Sequence, residues 1–179
     1  MGPFLSKDAR MSISLHQASI PLFVRGLKNL AHLLEKGAAY ATEKGIAPSE
    51  LIEARLAPDM LTLAAQVQRT SDTAKLSGER LSGVESPKMP DEETTFPQLQ
   101  ERIAKTIAYL ESLSVADVDA GEGRTITLNF GPMKPTFSGP DYLFGFALPN
   151  FYFHVVTAHD ILRHKGVEVG KRDYLGAVA

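Results

Sequence analysis

Four stretches of this chain carry apolar residues at spacings of three and four, and each such stripe has to be buried against another. The first is Ile20, Phe23, Leu27, Leu30, Leu34 and Ala38, and the second is Met60, Leu63, Val67 and Ala74. The third is Leu99, Ile103, Ile107, Leu110 and Leu113, and the fourth is Phe151, Val155, Ala158 and Leu162. That spacing places the residues of each set on one face of an α-helix. Four amphipathic helices in one chain satisfy one another by forming a bundle.

The ends of the helices can be read from their flanks. Helix one spans about Ser19 to Lys44, with Ser19 as N-cap, Pro21 in the first turn and Gly45 as the stop. Helix two is expected from Pro58 to about Leu81, where small Ser71 and Gly78 continue the core line and let a neighbour approach closely. Helix three opens on a capping box made by Thr95 and Gln98 and ends near Ser114. The last helix opens at Pro149 and Asn150, runs to about Lys165 and stops at Gly166. Between helices two and three, the Pro-rich and charged segment 83–93 reads as an exposed loop.

One segment breaks the helical period. Arg124 to Phe130 alternates polar and apolar residues, as a half-buried strand does. Gly131 and Pro132 make a turn and Lys134 to Ser138 returns. An isolated hairpin is marginal in water, so this one is expected to lie on the bundle. The reading is an all-α four-helix bundle with a short β-hairpin insert before the last helix. Long connectors at 46–57 and 115–148 argue against simple up-down-up-down alternation. Residues 11–176 are read as a single domain, 1–10 as an N-terminal extension, native or added, and 177–179 as a tail.

Composition narrows the classes of function. The 179 residues carry 19 Lys and Arg against 21 Asp and Glu, with no basic stripe, so nucleic acid is not an expected partner. The absence of cysteine excludes disulfides, thiolate nucleophiles and sulfur-ligated zinc. No apolar run approaches the roughly 20 residues that span a bilayer, and the first ten residues contain no leader-like apolar stretch. A soluble, cytoplasmic protein without a membrane partner is the expectation.

Two further segments are distinctive: Leu148 to His164 (LPNFYFHVVTAHDILRH), and Gly170 to Gly176 (GKRDYLG). Together with Arg55 to Met60 (RLAPDM), they resemble an uncharacterised family of small proteins within the DinB/YfiT-like superfamily. The resemblance covers about Met11 to Gly176. It implies a DinB-like four-helix bundle, often dimeric, whose better known relatives include metal-dependent, thiol-linked transferases and isomerases. Their pattern places one histidine on the second helix and an H-x-x-x-H pair on the last. Here His154 matches the first of that pair, Ala158 stands four residues on, and the second helix holds no histidine. The resemblance therefore implies a degenerate metal site.

The histidines themselves support that expectation. His154 and His159 point about 140° apart on a helix, and His164 lies roughly 15 Å along from His154, so the three cannot share one ion. His32 lies away from the apolar stripe and is read as solvated. For His154, on the inward side of its helix, three readings stay open. It is a core histidine bonded to a neighbour, or a general acid/base or ligand anchor, or a metal ligand. Asp59, Thr62, Gln66 and Thr70 lie along one flank of helix two and could complete a polar pocket with His154. Asp59 is equally a first-turn carboxylate favoured by the helix dipole, and Arg163 near a helix C-terminus is explained the same way. Arg163 is also a candidate anion-binding residue, and Asp173 is expected to pair with Arg55 or Arg172 and pin the tail.

The candidate set is thus His154 as a catalytic group and Asp59, Gln66, Thr70 and Arg163 as ligand-binding groups, with no metal ligands and no cofactor expected. The favoured function is a non-catalytic or small-ligand-binding bundle. The alternative is a transferase- or isomerase-like enzyme using His154. The dense aromatic run around Phe144, Phe146, Phe151, Tyr152 and Phe153 cannot be buried entirely, and an exposed aromatic patch points to a homodimer.

Overall fold

The computed structural model describes residues 13–176. The long helices are α1 (Ile20–Lys44), α3 (Leu63–Ser82), α4 (Phe96–Glu111) and α7 (Leu148–His164), joined by the short α2 (Ser49–Ile52), α5 (Val115–Asp119) and α6 (Gly139–Tyr142) and followed by α8 (Lys171–Leu175). Strands β1 (Thr125–Thr127) and β2 (Thr136–Ser138) pair antiparallel, with Ile126 opposite Phe137. The fold is the expected helical bundle with a hairpin ahead of α7.

Most of each expected stripe is in the core, with Ala38 and Ile107 half-buried at its margin, whereas Met60 stands in the turn ahead of α3 and outside the core. Phe23, Leu27, Leu30 and Leu34 of α1 are fully buried, as are Phe151, Val155, Ala158 and Leu162 of α7. Phe23 meets Phe151 edge to face at 5.0 Å between ring centres. The small residues of α3 do what their size suggests. Ser71 bonds to Thr106 at 2.7 Å, and a Cβ added at Gly78 would stand only 2.9 Å from Leu113. Helix α3 is central and buries many polar side chains, among them Gln66, Gln68, Thr70, Ser71, Thr73, Lys75 and Ser77.

The pairings define the topology. Phe23 meets Phe151 and Gly37 meets Leu162, so α1 and α7 run parallel. Gln100 of α4 reaches the Ala31 carbonyl while Lys28 reaches Glu111, so α1 and α4 run antiparallel. Asp72 meets Arg102 and Gly78 meets Leu110, so α3 and α4 run parallel. Tyr142 lies at Ser77 and His154 at Gln66, so α3 and α7 run antiparallel. The bundle is up-down-down-up. The connection that breaks alternation is the 83–95 segment, which carries the chain back along the bundle, rather than either of the connectors flagged by length.

Several boundaries differ from the sequence reading. Ser19 occupies the N-cap position of α1, but its hydroxyl donates back to the Leu15 carbonyl at 2.6 Å and caps nothing. Helix α3 starts five residues later than Pro58, because Thr62 accepts from the Ala65 N–H and acts as the cap. Residues 54–62 form turns in which Arg55 donates to the Met60 carbonyl. The last helix is preceded without a break by α6 and a π-type turn, Leu143–Ala147. Pro149 would clash with the carbonyl of residue 145, four positions back, and the wider turn accommodates it, so the chain winds through a residue that reads as a helix start. The capping box of α4 is present as expected, with Gln98 accepting from the Thr95 N–H at 3.0 Å. The expected N-terminal extension, 1–10, and the tail, 177–179, lie outside the described residues.

Candidate functional site

The α3–α7 seam brings His154 and Gln66 together. The imidazole Nδ1 lies 2.7 Å from Gln66 Oε1, and both side chains are buried. An amide oxygen can only accept, so Nδ1 carries the proton and Nε2 the lone pair. Gln66 is itself steadied by its amide N–H, which donates to the Leu61 carbonyl at 3.4 Å. Burial pushes the His154 pKa below its ordinary value, and the nearby Arg69 guanidinium pushes the same way. At neutral pH the ring is a neutral hydrogen-bond acceptor at Nε2, packed against the edge of the exposed Phe153 ring at 5.2 Å.

The other sequence candidates do not join this pair. Thr70 is buried, but its hydroxyl donates to the Gln66 backbone carbonyl at 2.8 Å, closing a local α3 bond. Asp59 is exposed in the turn ahead of α3, outside the helix on which it was expected, so the helix dipole does not account for it. Arg163 is exposed and stands nine residues from His154, about half a turn away around α7. His159 pairs with Asp160 at 2.8 Å, and its Nε2 is buried without a partner among the described residues. His32, read as solvated, is half exposed and bonds to Asp173 at 3.1 Å. Asp173 does pin the tail, but through Lys36 at 2.9 Å and His32 rather than through Arg55 or Arg172.

The donor set at the seam does not fit a divalent ion. His154 offers one free nitrogen, Gln66 has its amide oxygen committed to the ring, and Ala158 offers nothing. Among the described residues, no three or more His, Asp or Glu side chains converge as a metal site. The cavities beside Met89, Tyr40, Tyr152, Tyr109 and Leu15 are all lined by residues other than His154, Gln66 and Thr70.

Residues 15–175 match the family described as a domain of unknown function, DUF1993. The crystal structure of a DinB family member protein from Shewanella denitrificans superposes with a TM-score of 0.86 at 41% identity, covering 92% of this chain and 93% of that one. The chain is a DUF1993 member of the DinB family. No curated protein matches it. Within this DUF1993 domain no helix is long and apolar enough to cross a membrane among the described residues.

A second polar centre of the DUF1993 domain was not legible beforehand. Arg102 of α4, with a side chain only 1% exposed, bonds Glu93 at 2.9 Å, Asp72 at 2.8 Å, Asp91 at 3.0 Å and the Pro90 carbonyl. Gln68 reaches Glu93, Arg69 reaches Asp91, and Lys75 reaches Asp72. Burial works against an ionised Glu93, yet the hydrogen bonds from Arg102 and Gln68 hold its pKa below the ordinary value. This network fastens the 83–95 segment along α3 and α4, so the segment is an anchored strap rather than a free loop. The available signal was an arginine placed one position before Ile103 in the apolar stripe of α4.

Proposed function

We propose that this protein is a non-catalytic, small-ligand-binding bundle whose DinB-type metal site is degenerate. One observation carries the reading. The α3 residue that meets His154 is Gln66, whose amide oxygen takes the Nδ1 proton, so the imidazole is tied into the seam instead of being one of three convergent donors. No cofactor is required by this arrangement. The pair ties α3 to α7, and Nε2 is left without a protein partner among the described residues. In this reading Thr70 supports Gln66 from behind, while Asp59 and Arg163 stay outside the site.

Metal analysis of protein purified without affinity-tag metals tests the proposal, together with thermal shifts in zinc, nickel and manganese. Sub-stoichiometric metal and an unchanged melting temperature are expected, since a ligand that binds only the folded state raises it. One tightly retained ion per chain, lost in His154→Ala, would overturn the reading.

The alternative, an enzyme of the transferase or isomerase kind, is favoured by the open, neutral Nε2, which has the form of a general base. It predicts a thermal shift with low-molecular-weight thiols that disappears in His154→Gln. The exposed aromatic residues support a homodimer, and the composition supports a cytoplasmic setting.

A further inference from the structure

The Gly170–Gly176 motif takes no part in the His154 seam, and its surroundings carry a separate inference. Helix α1 bears a second stripe, Arg25, Asn29, His32 and Lys36, on its outer side, and the tail uses all four residues. Arg25 donates to the Leu175 carbonyl at 2.8 Å and Asn29 to the Tyr174 carbonyl at 2.8 Å. His32 and Lys36 both hold Asp173, whose other oxygen accepts from the Gly170 N–H at 2.8 Å. None of the residues of α8 is fully buried, and the helix is held by these polar ties together with the half-buried Tyr174, which packs against the core.

Beneath α8 lies a cavity of about 170 Å³ lined by Arg25, Gly26, Asn29, Tyr152, Val155, Tyr174 and Leu175. Its chemistry differs from that of the cavities beside Met89, Tyr40, Tyr109 and Leu15, each of which includes an aspartate or glutamate in its wall. Here there is none. Arg25 has no carboxylate partner among the described residues, and only one of its bonds goes to the protein. The hydroxyls of Tyr152 and Tyr174 have no partner among the described residues either. Burial, and then Tyr174, push the Tyr152 phenol up against the pull of Arg25, and burial pushes Tyr174 up as well. Both are therefore protonated hydroxyls able to donate. A guanidinium and two phenols offer donors in this wall, while Leu175 offers an apolar side chain.

We propose that the cavity between α1, α7 and α8 binds a small aliphatic monocarboxylate, its head group on Arg25 and the Tyr152 and Tyr174 hydroxyls and its tail on Leu175. The cavity falls below the range of drug-sized pockets, which restricts the ligand to a few carbons. Two of the lining residues belong to α8, so an occupied site also fastens the C-terminal helix. The proposal stands independently of the His154 reading, because no residue is shared.

The test titrates the full chain with isobutyrate, with isobutyramide as the neutral isostere and with inorganic phosphate, following amide NMR shifts. Isobutyrate is expected to move residues of α1 and α8, with isobutyramide and phosphate at least about tenfold weaker, as befits a charge-assisted contact. Arg25→Gln is expected to weaken isobutyrate about tenfold or more. Tyr152→Phe, which removes a hydroxyl without touching the tail, should weaken it several-fold while leaving the melting temperature in place. Amide exchange in 171–175 should slow with isobutyrate. Equal binding of isobutyramide, preference for phosphate, no binding of isobutyrate, or unchanged affinity in either variant would each overturn the proposal.

Discussion

At the scale of single residues, the protonation of His154 has a consequence that can be measured. Its folded pKa lies below the ordinary 6.5 because burial and Arg69 disfavour the charged ring. The unfolded chain therefore takes up this proton more readily than the folded one. Its contribution to stability is complete above about pH 6.5 and is lost as the pH falls from there through the folded pKa. In His154→Gln this part of the pH dependence should vanish, so urea unfolding curves of the two proteins between pH 7.5 and 5 should converge toward acid. Parallel curves would show that the ring is not held neutral. His154→Ala, which leaves the buried Gln66 oxygen unpaired, should cost about 1–3 kcal/mol. The sequence placed His154 inward from its position between Phe151 and Ala158, and placed Gln66 on the facing flank. It could not exclude Asp59, because a flank assignment depends on where a helix starts, and Thr62 rather than Pro58 starts α3.

At the scale of elements, the strap and the tail are held by charge, and each should fail in its own way. Arg102 neutralises three carboxylates while nearly sealed from water, and removing one partner from such a buried arrangement leaves the others uncompensated. Arg102→Met should therefore destabilise the protein by about 3–5 kcal/mol in urea titration, and should expose the 83–95 strap to proteolysis first. A cost below 1 kcal/mol would mean that the strap is held by other contacts. The tail responds to acid. Lys36, then the Gly170 N–H and His32, hold the Asp173 carboxyl far below its usual range. Its stabilisation of α8 is present above the ordinary value of 3.8 and is lost as the pH falls below it. Protection of the 171–175 amides from exchange, corrected for the intrinsic rate at each pH, should fall in Asp173→Asn at pH 7 and in the native chain at low pH. The sequence showed the tail folding back through Asp173 but misassigned the partners, since Arg55 is occupied by the Met60 carbonyl. The spacing of Arg25, Asn29, His32 and Lys36 was the missed signal: a polar stripe at helical period is as much a docking surface as an apolar one.

For the whole molecule, apolar periodicity shows that four helices must share a core, but it is silent on their order in space. That order is fixed here by side-chain pairs across the seams, such as Phe23 with Phe151 and Asp72 with Arg102. It makes the second connection, not the longest one, the crossover. The arrangement also leaves apolar surface uncovered. Phe144, Phe153 and Met133 are 58%, 56% and 65% exposed, and Phe130, 46% exposed, leans on Phe146 at 5.7 Å. These residues come from the hairpin, the π-type turn and the first turns of α7. If that surface is self-complementary, light scattering at micromolar concentration should give about twice the 19.5 kDa chain mass. Phe144→Ser combined with Phe153→Ser should return it to one chain. Because both rings are exposed, the double substitution should change monomer stability by no more than about 0.5 kcal/mol per site, which separates loss of association from loss of fold. A native mass near that of a single chain would remove the dimer and leave these rings as isolated surface residues.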